Sequence, residues 1–173
     1  MTAFCKGCKI IKAFRIITAV LLCLWMMLIF SFSSQNADAS SQTSGSVIET
    51  VADIFYPEFS DLSEEKQIEI ISALQFIVRK AAHFTLYAIL GVLSFLSVVS
   101  YRNLKYSYRL LISSGICLLY AMSDEFHQLF VAGRSGEIRD VFIDFCGSLL
   151  AITVLALFSR YSKRIYDNIR TVD

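Results

Sequence analysis

Four stretches almost free of charge govern what this 173-residue chain can become. No charge falls between Ile16 and Ala37, and Ile16–Phe32 is almost wholly apolar. Ala81–Tyr101 is a second run, interrupted only by His83. Leu110–Ser123 and Phe145–Ser159 are shorter, at 14 and 15 residues. A bilayer core about 30 Å thick needs roughly 20 helical residues at 1.5 Å each. The first two runs meet that requirement, while the other two reach only about 21 and 22 Å. With 55% hydrophobic and 18% charged residues and a mean hydropathy of +0.58, the chain is too apolar for an ordinary soluble domain. One Pro and seven Gly exclude a disordered or collagen-like chain, and a net charge of +1 excludes a basic nucleic-acid binder.

Basic residues set the orientation. Lys6, Lys9, Lys12 and Arg15 precede the first run; Arg102, Lys105 and Arg109 separate the second from the third; Arg160, Lys163, Arg164 and Arg170 follow the fourth. The alternate side holds Lys66, Arg79, Lys80, Arg134 and Arg139, a division of 11 against 5. Only Asp167 and Asp173 among the acids fall on the basic side, so the bland total conceals about +9 on one side and −8 on the other. The positive-inside rule then places both termini in the cytoplasm with four spans. The expected fold is an all-α integral membrane four-helix bundle, one domain over 1–173, with spans at about 13–32, 81–101, 110–130 and 141–159. A cleaved signal peptide ending at Ala37-Asp38-Ala39 is the weaker reading of the first run, whose 17 apolar residues exceed the usual length of about 7–15.

Between the first two spans, 33–46 is rich in Ser, Gln and Thr and reads as irregular. A short amphipathic helix is expected over 47–56, ending near Pro57. Asp61 with Glu64 resembles a capping box, and Ile70, Leu74, Ile77, Val78 and Ala81 recur at helical spacing. A helix lying on the membrane surface and turning into the second span is the expectation, with simple cover for the bundle as its alternative. The five cysteines show no metal-site spacing, and Cys5-x-x-Cys8 lacks the βαβ setting of a redox motif.

The short runs carry the functional signal. To cross, the third span must extend from Leu110 to about Phe130, drawing in Asp124, Glu125, His127 and Gln128; the fourth must begin near Asp140 and draws in Asp144. His83 and Tyr87 lie about 4 and 10 Å into the second span. Isolated carboxylates at such depth cost up to about 2.5–3.5 kcal/mol each, so these groups are expected to face one another in an outward-facing polar pocket. Spacing permits it: Arg79, His83 and Tyr87 share one helix face, Asp124 and Gln128 another. Asp140, Asp144, Gly147, Ser148 and Ala151 form a stripe whose small members allow close helix approach. Gly133-Arg134-Ser135-Gly136 makes the turn above them.

These residues also carry a resemblance. Arg79-Lys80-x-x-His83-Phe84-x-x-Tyr87, Ser123-Asp124-Glu125-x-His127-Gln128-x-Phe130-x-x-Gly133-Arg134 and Asp140-x-x-x-Asp144-x-x-Gly147, with Phe32-Ser33-x-Gln35 before them, resemble the VanZ-like family over about 32–151. Asp144 stands where that pattern also takes Asn. The resemblance implies a small bacterial cell-membrane protein, related to one associated with teicoplanin resistance.

Two functions are compatible with the site. In the first, Arg79, Lys80 and Arg134 hold an anionic lipid head group, His83 or His127 serves as general acid/base, and Asp124 or Asp144 orients the imidazole or activates a nucleophile. Tyr87, Glu125, Gln128 and Asp140 complete the substrate-binding set, and head-group hydrolysis or transfer is the reaction class. In the second, the same site binds an anionic lipid or polyprenyl-linked wall precursor without chemistry. Packing is the bland alternative at every position, an ion pair for Asp124 and an interfacial ring for Tyr87. Membrane lipids are the expected partners, with no nucleic acid. No cofactor is expected; a metal held by His83, Asp124, His127 and Asp144 is a minor alternative, because no two lie in a recognised ligand motif.

Overall fold

Inside a bilayer every backbone polar group must bond within the protein, and an isolated apolar run does so as a helix. The computed structural model describes residues 2–35, 62–101 and 103–170, together with Ile48, Ile54 and Phe59; for residues 2–8 and 163–170 only the backbone is described. They form α1 (Thr2–Ser33), α2 (Glu64–Val99), α3 (Tyr106–Gln128) and α4 (Ile138–Arg170), with no strand among the described residues. The all-α expectation holds. Lys9–Ser33, Glu64–Val99 and Ile138–Ser162 are each long and apolar enough to cross a membrane. Helix α3 has the length, 23 residues or about 34 Å, but it ends in Ser123-Asp124-Glu125-Phe126-His127-Gln128 and has no stretch as apolar as those of the other three.

Helix α2 departs from expectation in one respect. No turn separates a surface segment from the second span: Glu64–Val99 is one continuous helix of 36 residues, about 54 Å long. The physical reason is local, since neither Gly nor Pro occurs between Glu64 and Leu90 to interrupt the ladder. Ile70, Leu74 and Val78 are half-buried as the spacing predicts, while Ile77 is exposed. The helix starts at Ser63, whose extended backbone accepts the first bond from Gln67 N–H. Asp61 and, apart from Ile48 and Ile54, the expected helix at 47–56 lie outside the described residues.

The packing is that of a membrane bundle. Large apolar side chains point outward: Ile17, Leu24, Leu111, Leu119, Phe142 and Leu157 are all exposed. Small ones fill the interior, where Ser94, Ser113, Cys117, Ala121 and Ser148 are buried beside Tyr87 and Leu90. Lipid is as apolar as Leu, so close backbone approach and interhelical hydrogen bonds hold such helices together. Helices α2 and α4 make the most extensive contact. A Cβ on Gly91 would lie 2.5 Å from the Ser148 carbonyl oxygen, and one on Gly147 would collide with the Phe84 carbonyl. Ser148 Oγ donates to the Tyr87 carbonyl at 2.9 Å, and Ser94 Oγ donates to the Ser113 carbonyl at 3.0 Å, tying α2 to α4 and α3. Trp25 Nε1 donates to the Leu86 carbonyl at 2.9 Å and joins α1.

Charge separates along the bundle. At one end Arg15 donates to the Ser100 carbonyl at 2.7 Å, Arg109 to the Val99 carbonyl at 3.1 Å, and Arg160 covers the Tyr106 ring at 4.8 Å. The acidic group lies toward the other end, where α3 gives way to α4. A leucine at Gly147 must force α2 and α4 apart, so Gly147→Leu is expected to cost roughly 1–3 kcal/mol or more. Gly115→Ala, which meets open space, is expected to change stability by no more than about 1 kcal/mol, toward gain. Thermal unfolding in detergent checks both.

Candidate functional site

The α2–α4 crossing brings the polar residues together. His83 precedes Phe84 on α2, and Asp144 lies one turn before Gly147 on α4, so the close backbone contact at Phe84 and Gly147 forces their side chains to meet. His83 Nδ1 stands 3.5 Å from Asp144 Oδ2, longer than a well-formed hydrogen bond. Asp124 enters from α3, and one ligating atom from each of His83, Asp124 and Asp144 lies within 4.8 Å of the other two. Asp144 is 1% exposed and Asp124 3%.

Asp124 is held from α1. Its Oδ2 accepts a bond from Ser33 Oγ at 2.7 Å, and Ser33 in turn accepts one from Gln128 Nε2 at 3.0 Å. Asp124 Oδ1 and both Asp144 oxygens make no hydrogen bond among the described residues. A buried polar atom without a partner costs about 1–3 kcal/mol, and more when charged. The site therefore retains bonding capacity that the described side chains do not use.

Beside this cluster lies a cleft of about 160 Å³. His83 and Asp144 line it with Arg79, Lys80, Gln128, Arg134 and Asp140. Lys80 forms an ion pair with Asp140 at its edge. Arg134 reaches in from the α3–α4 turn, which Gly133 permits with a backbone φ of 74°. Its Nη1 donates weakly to Gln128 Oε1 at 3.4 Å, whereas its buried Nε has no hydrogen-bond partner among the described residues. Burial, and then the charge of Arg79, pulls the Arg134 guanidinium below its ordinary pKa. Glu137 lines the cleft as well, so Arg79, Lys80 and Arg134 share it with the carboxyl groups of Glu137, Asp140 and Asp144.

Four of the residues singled out from sequence do not line the cleft: Asp124, in the cluster beside it, and His127, Glu125 and Tyr87. His127 turns toward α1, its ring 4.4 Å from that of Phe30 and its Nε2 3.2 Å from Ser34 Oγ. Glu125 is buried and its Oε2 accepts the Glu137 backbone N–H at 3.0 Å, fastening the α3–α4 turn. Tyr87 is fully buried behind the cluster, with its ring 6.2 Å from Tyr120. Sequence spacing did not anticipate the Ser33 bond to Asp124, although Ser33 belongs to the Phe32-Ser33-x-Gln35 pattern at the end of α1. Phe76 and Ile143 also line the cleft, and no sequence motif singles them out.

An apolar exterior on helices long enough to cross a bilayer, around a cluster of buried ionisable side chains, defines an integral membrane protein. More particularly, residues 18–159 match the VanZ/LLP1 family, and the chain belongs to it. No curated protein and no solved structure matches the chain.

Because Ser33 makes the short bond to a buried carboxylate, Ser33→Ala is expected to cost about 1–3 kcal/mol by leaving Asp124 Oδ2 with only the long 3.4 Å bond from Gln128 Nε2. Ser34→Ala, at an exposed contact with His127, is expected to cost less than about 0.5 kcal/mol. Unfolding of the two variants side by side measures the difference.

Proposed function

We propose that this protein captures the phosphate-bearing head group of a cell-envelope lipid at the outer face of the membrane and hydrolyses or transfers that head group. The observation that carries the reading is the cleft itself, with Arg79 and Arg134 facing it as cations and His83 and Asp144 at its inner wall. Guanidinium groups suit phosphate because their donors match two of its oxygens at once. Lys80 is partly neutralised by Asp140, which leaves the two arginines as the main anion-holding groups.

The outward orientation rests on charge. Arg15, Arg109 and Arg160 gather at the end opposite the cleft, and basic flanks favour the cytoplasmic side. A lipid of the outer leaflet then reaches the cleft without leaving the bilayer, its tails against the exposed apolar faces of the helices and its phosphate at the arginines. His83 supplies acid–base capacity near neutral pH, alone or through a water it orients. Anionic phospholipids and polyprenyl-linked wall precursors both offer the required phosphate. A contribution to teicoplanin resistance follows on this reading from a changed set of envelope lipids available to the drug.

The experiment is purification from bacterial membranes in dodecyl maltoside, followed by mass spectrometry of the lipids that accompany the protein. Wild type is expected to retain an anionic phospholipid or polyprenyl phosphate near one per chain, and Arg134→Ala to lose it at least tenfold. Incubation with the retained lipid is expected to release a head-group product with wild type and none with His83→Ala. Retention without product favours the non-catalytic binder. Equal lipid content in wild type and Arg134→Ala overturns both.

A further inference from the structure

His83, Asp124 and Asp144 converge from three different helices, and their donor atoms lie within 4.8 Å of one another. Two buried carboxylates this close repel each other unless a proton or a cation stands between them. His83 does not resolve the conflict alone: at 3.5 Å its Nδ1 is too far from Asp144 Oδ2 for a good hydrogen bond. Both Asp144 oxygens, with the residue 1% exposed, and Asp124 Oδ1, with the residue 3% exposed, are left without hydrogen-bond partners among the described residues.

We propose that His83, Asp124 and Asp144 form a divalent-cation site at the inner wall of the cleft, with one imidazole nitrogen and two carboxylate oxygens as ligands. Metal–ligand bonds of about 2.0–2.2 Å place donors roughly 3–3.5 Å apart around an ion. The donor atoms, within 4.8 Å of one another, must close by roughly an ångström to reach that range. One oxygen of Asp124 is already fixed by Ser33, whose hydroxyl is in turn held by Gln128, leaving the other oxygen for the ion. Such outer hydrogen bonds orient a ligating carboxylate. A mixed nitrogen and carboxylate set suits Mn²⁺ or Zn²⁺ better than the softer Cu⁺.

His83 and Asp144 also line the cleft, so an ion there has an open coordination position facing it. That position accepts water or, where the head-group reading above holds, a phosphate oxygen opposite Arg79 and Arg134; this last step rests on that reading, the ion site does not. With the ion in place His83 is a ligand, and the ion-bound water takes over the acid–base role.

The test uses the full chain in dodecyl maltoside, whose sugar head group contains no phosphate, stripped of metal with a chelator and titrated with Mn²⁺ alone. Electron paramagnetic resonance is expected to show one Mn²⁺ bound per chain, with nitrogen coupling from one imidazole. The chain has only two histidines. His127→Ala is expected to keep the nitrogen coupling and His83→Ala to remove it. Asp144→Asn and Asp124→Asn are each expected to weaken binding roughly tenfold or more, provided circular dichroism shows the helices intact. Absence of stoichiometric Mn²⁺ or of nitrogen coupling in the wild type overturns the site whether or not the variants fold. Nitrogen coupling that survives His83→Ala does the same. Because no lipid phosphate is present, failure here leaves the head-group reading standing, and loss of lipid from Arg134→Ala leaves the ion site standing.

Discussion

The close crossing of α2 and α4 is the constraint on which the rest of the molecule depends. Gly147 lies against the Phe84 carbonyl and Gly91 against the Ser148 backbone, with no room for a side chain at either contact. A hydrophobic effect between helices is weak in lipid, so this intimacy and the Ser148 hydroxyl bonded across it take the place that large apolar residues hold in a soluble core. The same contact builds the candidate site. His83 adjoins Phe84 and Asp144 sits one turn from Gly147, so the backbone approach that stabilises the pair also sets their side chains face to face. Packing and site are one feature seen at two levels.

Helix α3 then meets a cost that the other helices largely avoid. Its last turns carry Asp124, Glu125 and Gln128, all buried, in a segment that must stay near the membrane edge. Each finds a different partial solution. Glu125 accepts a backbone N–H from the following turn; Gln128 bridges to Ser33 and Arg134; Asp124 takes the Ser33 hydroxyl. Helix α1, which touches the bundle least through its apolar surface, thus contributes most through one hydroxyl and the Trp25 indole. These bonds leave Glu125 Oε1 and Asp124 Oδ1 unsatisfied among the described residues, the latter in the cluster with His83 and Asp144.

Cations are arranged to complement that deficit. Lys80 is engaged by Asp140, but Arg79 and Arg134 face the cleft as like charges, and burial of Arg134 makes its charge harder to keep. On the readings proposed above, two guanidiniums at one opening and carboxylates only partly satisfied behind it are an arrangement that occupancy would favour. An anionic group at the front and a cation behind neutralise both halves at once. On the function proposed above, the apolar exterior of the helices would bring lipids, the source of such anions, to the opening.

The sequence by itself determined the all-helical membrane character, because long uncharged runs have no other way to satisfy their backbone in lipid. It also determined which residues sit at one level, since spans of 14 and 15 apolar residues must recruit Asp124 and Asp144 to gain length. Helical spacing named Arg79, His83 and Asp144 through local geometry that each helix carries alone. It could not separate His83 from His127, because a helix wheel shows which residues share a face and not what that face meets. Only the tertiary structure turned His127 toward Phe30, moved Glu125 to the turn and brought Ser33 to Asp124 across 91 positions of chain. It likewise joined the expected surface helix to the second span as one rod, where nothing in the local ladder interrupts it. Contacts between helices decide such matters, and those depend on backbone approach at a few small residues rather than on the periodicity of any single segment.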